Sequence, residues 1–344
     1  MALASRCGDY GTNTQRERHN NSMSDQTRMY WIHALTPLHV GAGRGVGYID
    51  LPILREKVTN LPLVPGSAIK GVLGDTHDAE MIRQKMKRRE ALNAVEDAVL
   101  KAFGIAGDEH SNSGSLVFTD AHLVCLPVRS IYGTFAWCTS PLILKRLHRD
   151  LKAAGLASKL KAPNSLRSET SIHVPQDTAS SLHDSNKRVF LEDLDLTAEP
   201  CPTASAWASE LGTWLFGKDS DWSITFRERF AVVPDNVFNF LSETGTEVIA
   251  RVRIDDEQKT VAKGALWYEE SLPAESILAG LVWCDRVFGS KNNGLSPITE
   301  SALLDQFCPP DADNSILQIG GKATVGKGRV RCVFTSGSKI GGQS

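Results

Sequence analysis

An acid leaving a glycine-rich loop is the residue of this chain best placed to do chemistry. Asp50 closes the segment Leu35-Thr36-Pro37-Leu38-His39-Val40-Gly41-Ala42-Gly43-Arg44-Gly45-Val46-Gly47-Tyr48-Ile49-Asp50-Leu51-Pro52-Ile53, where four glycines fall within seven residues. Glycine takes positive φ without steric cost and lets a ligand approach the backbone closely. The loop is therefore shaped to wrap something, with His39 at its entrance and Asp50 at its exit, where strand-to-loop junctions commonly carry catalytic groups. Taken alone, Asp50 also reads as a cap or a solvated loop acid, and His39 as a packed histidine bonded to the loop backbone. Glu269 and Glu270, after Trp267-Tyr268, are candidate partners, or simply solvated acids at a strand end. A second loop, Ile319-Gly320-Gly321-Lys322-Ala323-Thr324-Val325-Gly326-Lys327-Gly328-Arg329, lies near the other end of the chain. Two glycine loops with basic residues point to a phosphate-rich polymer as the ligand, held by loop N–H groups and lysines. The plainer reading of the second loop is a tight hairpin turn with incidental lysines.

Several familiar chemistries fit poorly. Gly321 to Lys327 satisfies the G-x-x-x-x-G-K of a nucleotide-binding P-loop, but Gly328 stands where a magnesium-holding Ser or Thr belongs. A P-loop must also open a helix, whereas Val330, Cys332 and Phe334 alternate as a strand. The first loop fails G-x-G-x-x-G because Val46 occupies the third glycine position, so a dinucleotide fold is unsupported. His77-Asp78 and His183-Asp184 lack the further ligands at helical spacing that a metal dyad needs, and read as surface pairs. The basic run Arg83 to Arg89 reads as a solvated helix face. No aromatic pattern of an ordinary base-stacking RRM is present.

The elements that must position these residues are predominantly strands. Met29 to Leu35 reads as a strand with Tyr30, Ile32 and Ala34 on one face. Pro65-Gly66-Ser67 opens a short helix carrying Ile69, Lys70, Val72 and Leu73, with Ser67 as its expected N-cap and a first turn suited to a phosphate. Asp78 to Phe103 has helical spacing at Leu92, Val95, Val99 and Phe103, with Gly104 as the stop. Further strands are expected at 116–126, 189–196, 316–319 and 329–334, and helices at 141–156 and 204–216. Residues 162–187 are poor in core residues and rich in Ser, Asn and His, the composition of a projecting insertion. Thr246 to Ile254 alternates and leads through a turn-rich stretch into Ala265-Leu266-Trp267-Tyr268, so the pair reads as a hairpin.

The 344 residues carry 38 Lys and Arg against 40 Asp and Glu. With no bulk positive charge, a nucleic-acid site must be a local basic patch or be completed by neighbouring subunits. The seven cysteines are scattered and form no C-x-x-C pair, which disfavours disulfides and zinc and suits a reducing cytoplasm. No apolar run approaches the ~18–20 residues of a membrane span. Residues 1–28 are polar and aperiodic, as expected of a disordered extension.

The residues also carry a resemblance. Leu35 to Gly43, Ile49-Asp50-Leu51-Pro52-Ile53-Leu54-Arg55-Glu56 and Leu63-Val64-Pro65-Gly66-Ser67-Ala68-Ile69-Lys70-Gly71-Val72-Leu73 resemble the RAMP superfamily of CRISPR proteins. More narrowly, they resemble the multi-copy backbone subunits of type III-B (Cmr) effector complexes. Gly114 to Ala121, Leu126 to Ser130, Gly133 to Trp137, Gly264-Ala265-Leu266-Trp267-Tyr268-Glu269-Glu270 and Leu317 to Gly328 agree, so the likeness spans residues 29–334. The terminal glycine loop is common to the superfamily; the I-D-L-P-I and A-L-W-Y-E-E stretches narrow it.

That resemblance implies an α+β, modified ferredoxin-like (RRM-like) RAMP domain over 29–334, with helical insertions, a projecting β-hairpin thumb and a flexible tail at 335–344. The polar segment 163–190 is the candidate thumb. Copies are expected to stack along a guide crRNA, beside other type III CRISPR subunits, while single-stranded target RNA pairs with the guide and is cut at regular intervals. Asp50 matches the family's cleavage acid, which implies a metal-dependent endoribonuclease using a divalent ion, Mg or Mn, and Asp50 as its ligand or as general base. The implied nucleophile is the substrate's own 2′-hydroxyl. His39 and Glu269 match supporting positions. Gly41, Gly43, Ser67, Lys70, Gly320, Gly321, Lys322 and Lys327 are the expected RNA-binding set, gripping phosphates without sequence preference. A backbone subunit that binds RNA without cutting is the alternative. The chain departs from the family pattern in its N-terminal extension, in Leu54 where relatives often carry Gln, and in Ser271 where some carry Tyr.

Overall fold

The first strand, Thr27–Ala34, is buried along its whole length. Tyr30, Ile32 and Ala34 enter one core cluster, and Met29 and Trp31 enter another. A strand covered on both faces needs apolar side chains on both, which explains why the sequence here alternates weakly. The computed structural model describes residues 26–43, 45, 47–88, 90–105, 112–156, 160–166, 168–217, 219–254, 261–288, 297–310 and 315–337. Of the extension expected over 1–28, residues 1–25 lie outside the described residues, while Thr27 and Arg28 begin this strand. Residues 338–344 of the expected tail also lie outside them, and Thr335 is not tail at all but the last residue of a strand.

Thr27–Ala34 pairs antiparallel with Ile277–Trp283 on one side and with Arg329–Thr335 on the other. Ile277–Trp283 pairs antiparallel in turn with Ala121–Arg129. Numbered along the chain, these four strands lie side by side in the order fourth, first, third, second, the arrangement of a βαββαβ ferredoxin-like unit. Its two crossovers carry helices Gly66–Thr76 and Glu300–Phe307. Their Ile69, Leu73, Leu303, Leu304 and Phe307 pack into the cluster that holds Tyr30 and Ile32. The opposite face is covered by Pro141–Ala153 and Pro202–Phe216, whose Leu144, Leu147, Leu151, Trp207 and Leu211 surround Met29 and Trp31. Ser140 caps the first of these helices through Ile143 N–H, and proline occupies the first helical position of both.

Beyond Ala121–Arg129 the same sheet continues through Phe135–Thr139, Phe230–Val232, Ser171–Pro175, Leu194–Cys201 and Arg188–Leu191. This overturns the reading of 163–190 as a projecting thumb. Ser171–Pro175 pairs parallel with Leu194–Cys201, and Ile172, Val174, Leu182, Val189 and Leu191 are buried. The polar residues between them close turns over a packed layer. What projects instead is the hairpin of Glu247–Ile254 and Val261–Ser271, whose strands form a two-stranded sheet of their own. Val248, Ile249, Val252, Ile254 and Leu266 are exposed along it, whereas its root, Glu269 to Leu272, is buried.

The helix expected over 78–103 is two helices, Ala79–Lys87 and Ala94–Phe103. Asn93 restarts it with a capping box: its side chain accepts from Val95 and Glu96 N–H, and the Glu96 carboxylate accepts from Asn93 N–H. Asn competes for backbone groups in this way wherever a helix can begin. Among the described residues no helix is long and apolar enough to cross a membrane, and the six described cysteines are free thiols.

Candidate active site

The first glycine loop is the turn of a small antiparallel hairpin. Ala42 N–H donates to Pro52 O at 3.0 Å and Leu54 N–H to Val40 O at 2.8 Å. Its exit strand then lies along the root of the projecting hairpin, with Leu51 N–H on Tyr268 O and Glu270 N–H on Leu51 O, both at 3.0 Å. Asp50, exposed, accepts Tyr268 N–H on Oδ2 at 2.8 Å, its one hydrogen bond among the described residues. One carboxylate oxygen is thus anchored by backbone while the group stays open to solvent. Tyr48, 72 % exposed, sets its ring edge-on to Tyr268 at 6.1 Å.

Successive strand residues point to opposite faces, and Glu269 and Glu270 accordingly serve different loops. The Glu269 carboxylate, 3 % exposed, accepts from Trp267 Nε1 at 2.8 Å and Lys322 Nζ at 2.9 Å on Oε1. Its Oε2 has Arg251 Nε at 3.6 Å and Lys327 Nζ at 3.7 Å. Burial pushes this carboxyl up, but the Trp267 hydrogen bond and the two ammonium groups outweigh burial and hold it at about 2. Glu270, equally buried, accepts Ile53 N–H at 3.0 Å on Oε2, and Arg55 Nη2 at 2.6 Å and Thr246 Oγ1 at 3.0 Å on Oε1. His39 is buried, with Nδ1 2.6 Å from Glu270 O, so Nδ1 carries the proton and donates.

The terminal loop closes on the same place. Gly321 N–H donates to His39 O and Gly328 N–H to Pro37 O, each at 2.9 Å. No helix follows it; Arg329–Thr335 is a strand, in keeping with the rejection of a P-loop. Lys322 takes φ +67° and extends to Glu269, half-exposed. Lys327 is buried, with Nζ donating to Ser271 Oγ at 2.7 Å. The fold therefore gathers Asp50, His39, Glu269, Gly41, Gly43, Gly320, Gly321, Lys322 and Lys327 around the hairpin root.

Ser67 and Lys70 sit on a different element. Pro65, not Ser67, is the N-cap of Gly66–Thr76, and Gly66 N–H already donates to Asp120 Oδ1 at 3.0 Å. Ser67 is the second helical residue and is exposed. Lys70 Nζ donates to Leu116 O at 2.7 Å, and burial lowers its affinity for the proton. Arg55, Arg251 and Trp267 were not singled out from the sequence. The hairpin register, which sets Arg251 opposite Trp267, is a signal that would have found two of them; nothing local marks Arg55.

The fold agrees with what the chain is similar to. Residues 31–331 match the sequence pattern of the RAMP superfamily. This chain is a RAMP protein. The Cmr endoribonuclease Cmr4 of Pyrococcus furiosus is 32 % identical over 315 residues, covering 90 % of this chain and 96 % of that protein. The CMR subunit Cmr4 of Saccharolobus solfataricus is 26 % identical over 325 residues, covering 88 % and 94 %. Oligomeric Cmr4 from Pyrococcus furiosus superposes with a TM-score of 0.63 at 24 % identity, over 90 % of this chain and 98 % of that one. A chain of the type III-B Cmr-beta complex bound to cognate target RNA superposes at 0.62 with 21 % identity, over 90 % and 96 %. At such identities the superpositions speak for the fold, and the fold is the RAMP version of the ferredoxin-like unit expected above.

Proposed function

We propose that this RAMP protein is the guide-crRNA-binding backbone subunit of a type III-B CRISPR complex and cuts guide-paired target RNA at Asp50. Further copies of the chain and other type III subunits are its protein partners, and single-stranded target RNA its substrate. The observation that carries the reading is the solvent-facing Asp50 carboxylate, anchored on Tyr268 N–H where two glycine loops and a projecting hairpin meet. The 32 % identity with a protein named as an endoribonuclease, over nearly the whole of both chains, supports it. So does the absence of a bulk positive charge, which suits a subunit that shares its RNA with neighbours.

The nucleophile comes with the substrate. The 2′-hydroxyl oxygen attacks the adjacent phosphorus, the P–O5′ bond breaks, and the products are a 2′,3′-cyclic phosphate and a 5′-hydroxyl that takes up a proton. The protein's contribution is to hold ribose and phosphate in line, with Asp50 accepting from the 2′-hydroxyl or ligating an ion at the same place. His39, fixed as a donor to Glu270 O, shapes the loop entrance. Lys322 and the solvent-exposed stretch of the terminal loop at 323–326 face the guide's phosphates.

Among the described residues no three His, Cys, Asp or Glu side chains are arranged to hold a metal, and Glu269 is committed to cations. The exposed Asp50 carboxylate, with one oxygen free of hydrogen bonds among the described residues, would be the protein group to hold a Mg or Mn ion, since such hard ions prefer oxygen ligands. When bound, the ion would offset the charge developing on the phosphate oxygens. The whole of this takes place in the cytoplasm.

The test is target cleavage by the reconstituted complex carrying Asp50→Ala. Loss of the regular product ladder with guide RNA still bound supports an endoribonuclease. Unchanged cutting would leave the protein a non-catalytic RNA-binding backbone.

A further inference from the structure

We propose that Arg55 and Glu270 form a positioning pair that sets the place of the Asp50 carboxylate. The inference rests on the reading of Asp50 as the cleavage residue and deepens it. Asp50 holds its own position by a single hydrogen bond, too little to fix a catalytic carboxylate in an exposed loop. The next residues are held far more firmly, and by one residue above all. Glu270 binds the exit strand at three points: its N–H on Leu51 O, its Oε2 on Ile53 N–H, and its Oε1 on Arg55 Nη2. Its carbonyl receives His39 Nδ1, so the loop entrance is tied to the same residue.

Arg55 extends the clamp in the other direction. Its Nη1 donates to Asn60 O at 2.9 Å, and both terminal nitrogens reach Ser242 O at 3.2 Å, at the end of helix Asp235–Thr244. The guanidinium therefore joins the exit strand, the turn that follows it and a helix to the hairpin root. Glu270 is buried and Arg55 is partly so, with side-chain exposures of 4 % and 17 %. Removing Arg55 leaves the buried Glu270 charge uncompensated, and removing the Glu270 charge frees the guanidinium from the hairpin root, so in either case the strand between them is free to shift. Glu270 faces away from Lys322 and Lys327, which belong to Glu269. Among the described residues its side chain touches only Ile53 N–H, Arg55 and Thr246, none of them proposed to meet RNA, so the influence of that side chain on cutting passes through the strand that carries Asp50.

The test uses complexes reconstituted with guide RNA, comparing the single-turnover cleavage rate at saturating target with the affinity for target. Glu270→Gln keeps an acceptor for Ile53 N–H but removes the charge opposite Arg55; Arg55→Met removes the cation. Each is expected to lower the cleavage rate on the order of 10²-fold, the cost of a shift of about 1 Å at a reacting group, with guide content and target affinity unchanged. Arg55→Lys keeps the charge without the planar fork and is expected to restore part of the rate. Wild-type cutting by Glu270→Gln and Arg55→Met, or cutting and target binding lost in parallel, overturns the proposal. If those two fail to assemble, Arg55→Lys decides: a slower rate at retained affinity supports positioning, and a wild-type rate refutes it. Asp50→Ala run alongside separates the two readings. If it cuts normally, the catalytic assignment falls; if it is dead while Glu270→Gln and Arg55→Met cut normally, only the positioning pair does.

Discussion

The two glycine loops look alike in sequence, yet Gly47 of the first and Gly328 of the second serve opposite purposes. In the first, Gly47 has φ +60° with nothing within 4 Å of where a Cβ would stand. Its side of the loop is open, and glycine serves conformation alone. In the second, a Cβ on Gly328, at φ +84°, would stand 2.2 Å from Ile319 O. There glycine lets two backbones touch. The lysines follow the same division: the second loop turns Lys327 inward to Ser271 and Glu269 and leaves only Lys322 half-exposed. An open loop presents an acid beside a tight loop built on ion pairs; under the proposed function the first is the reacting edge and the second the scaffold that shapes it.

The sharpest break of that comparison is at Asp50. Asp50→Ala is expected to lower target cleavage by roughly 10²–10⁴-fold, the usual worth of a positioned proton-accepting group, with folding unchanged because the residue is exposed. The rate of product-ladder formation in the reconstituted complex measures it. Next comes glycine itself: Gly328→Ala should destabilise the chain well beyond the ~1–2 kcal/mol of left-handed geometry alone, whereas Gly47→Ala should cost no more than about that amount. Urea unfolding of the two variants side by side gives the contrast.

Acid stability sharpens the scaffold's half. Glu269 is held at about 2 against an ordinary 4.5, so the stability it contributes is present above the ordinary value and is lost as pH falls from there through about 2. Glu269→Gln should flatten the dependence of the urea midpoint on pH in that window, and a variant that keeps the wild-type slope would show the cations are not paired with it. The smallest effect is expected on the projecting hairpin. Val252 is 46 % exposed, and Val252→Ser should alter the stability of the isolated chain by no more than about 0.5 kcal/mol.

Much of this fold was legible. The hairpin at 246–268, the helices after Ser140 and Cys201, and the strand that denies the terminal loop a P-loop role were all readable from periodicity, caps and turn residues. So was Asp50 at an open loop exit. The projecting element was misplaced because composition was trusted at 163–190. Segment Ser171–Pro175 is short and polar at its flanks, yet parallel pairing with Leu194–Cys201 buries Ile172 and Val174. Parallel partners need a crossover, and nothing local announces them. The division of the helix at 88–93 was missed because helical spacing runs through the break, while Asn93 and Glu96 spelled out a capping box that went unread.

By itself the sequence determined which residues are able to react, which loops bend and which segments alternate, because those properties depend on near neighbours along the chain. Only the tertiary structure decided that adjacent Glu269 and Glu270 serve different loops, that Lys327 is buried and that Arg55 holds the strand carrying Asp50. The bond that anchors Asp50 joins residues 218 apart in the chain. Partners at such separations are chosen by the closing of the whole sheet, and a local pattern holds no record of that choice.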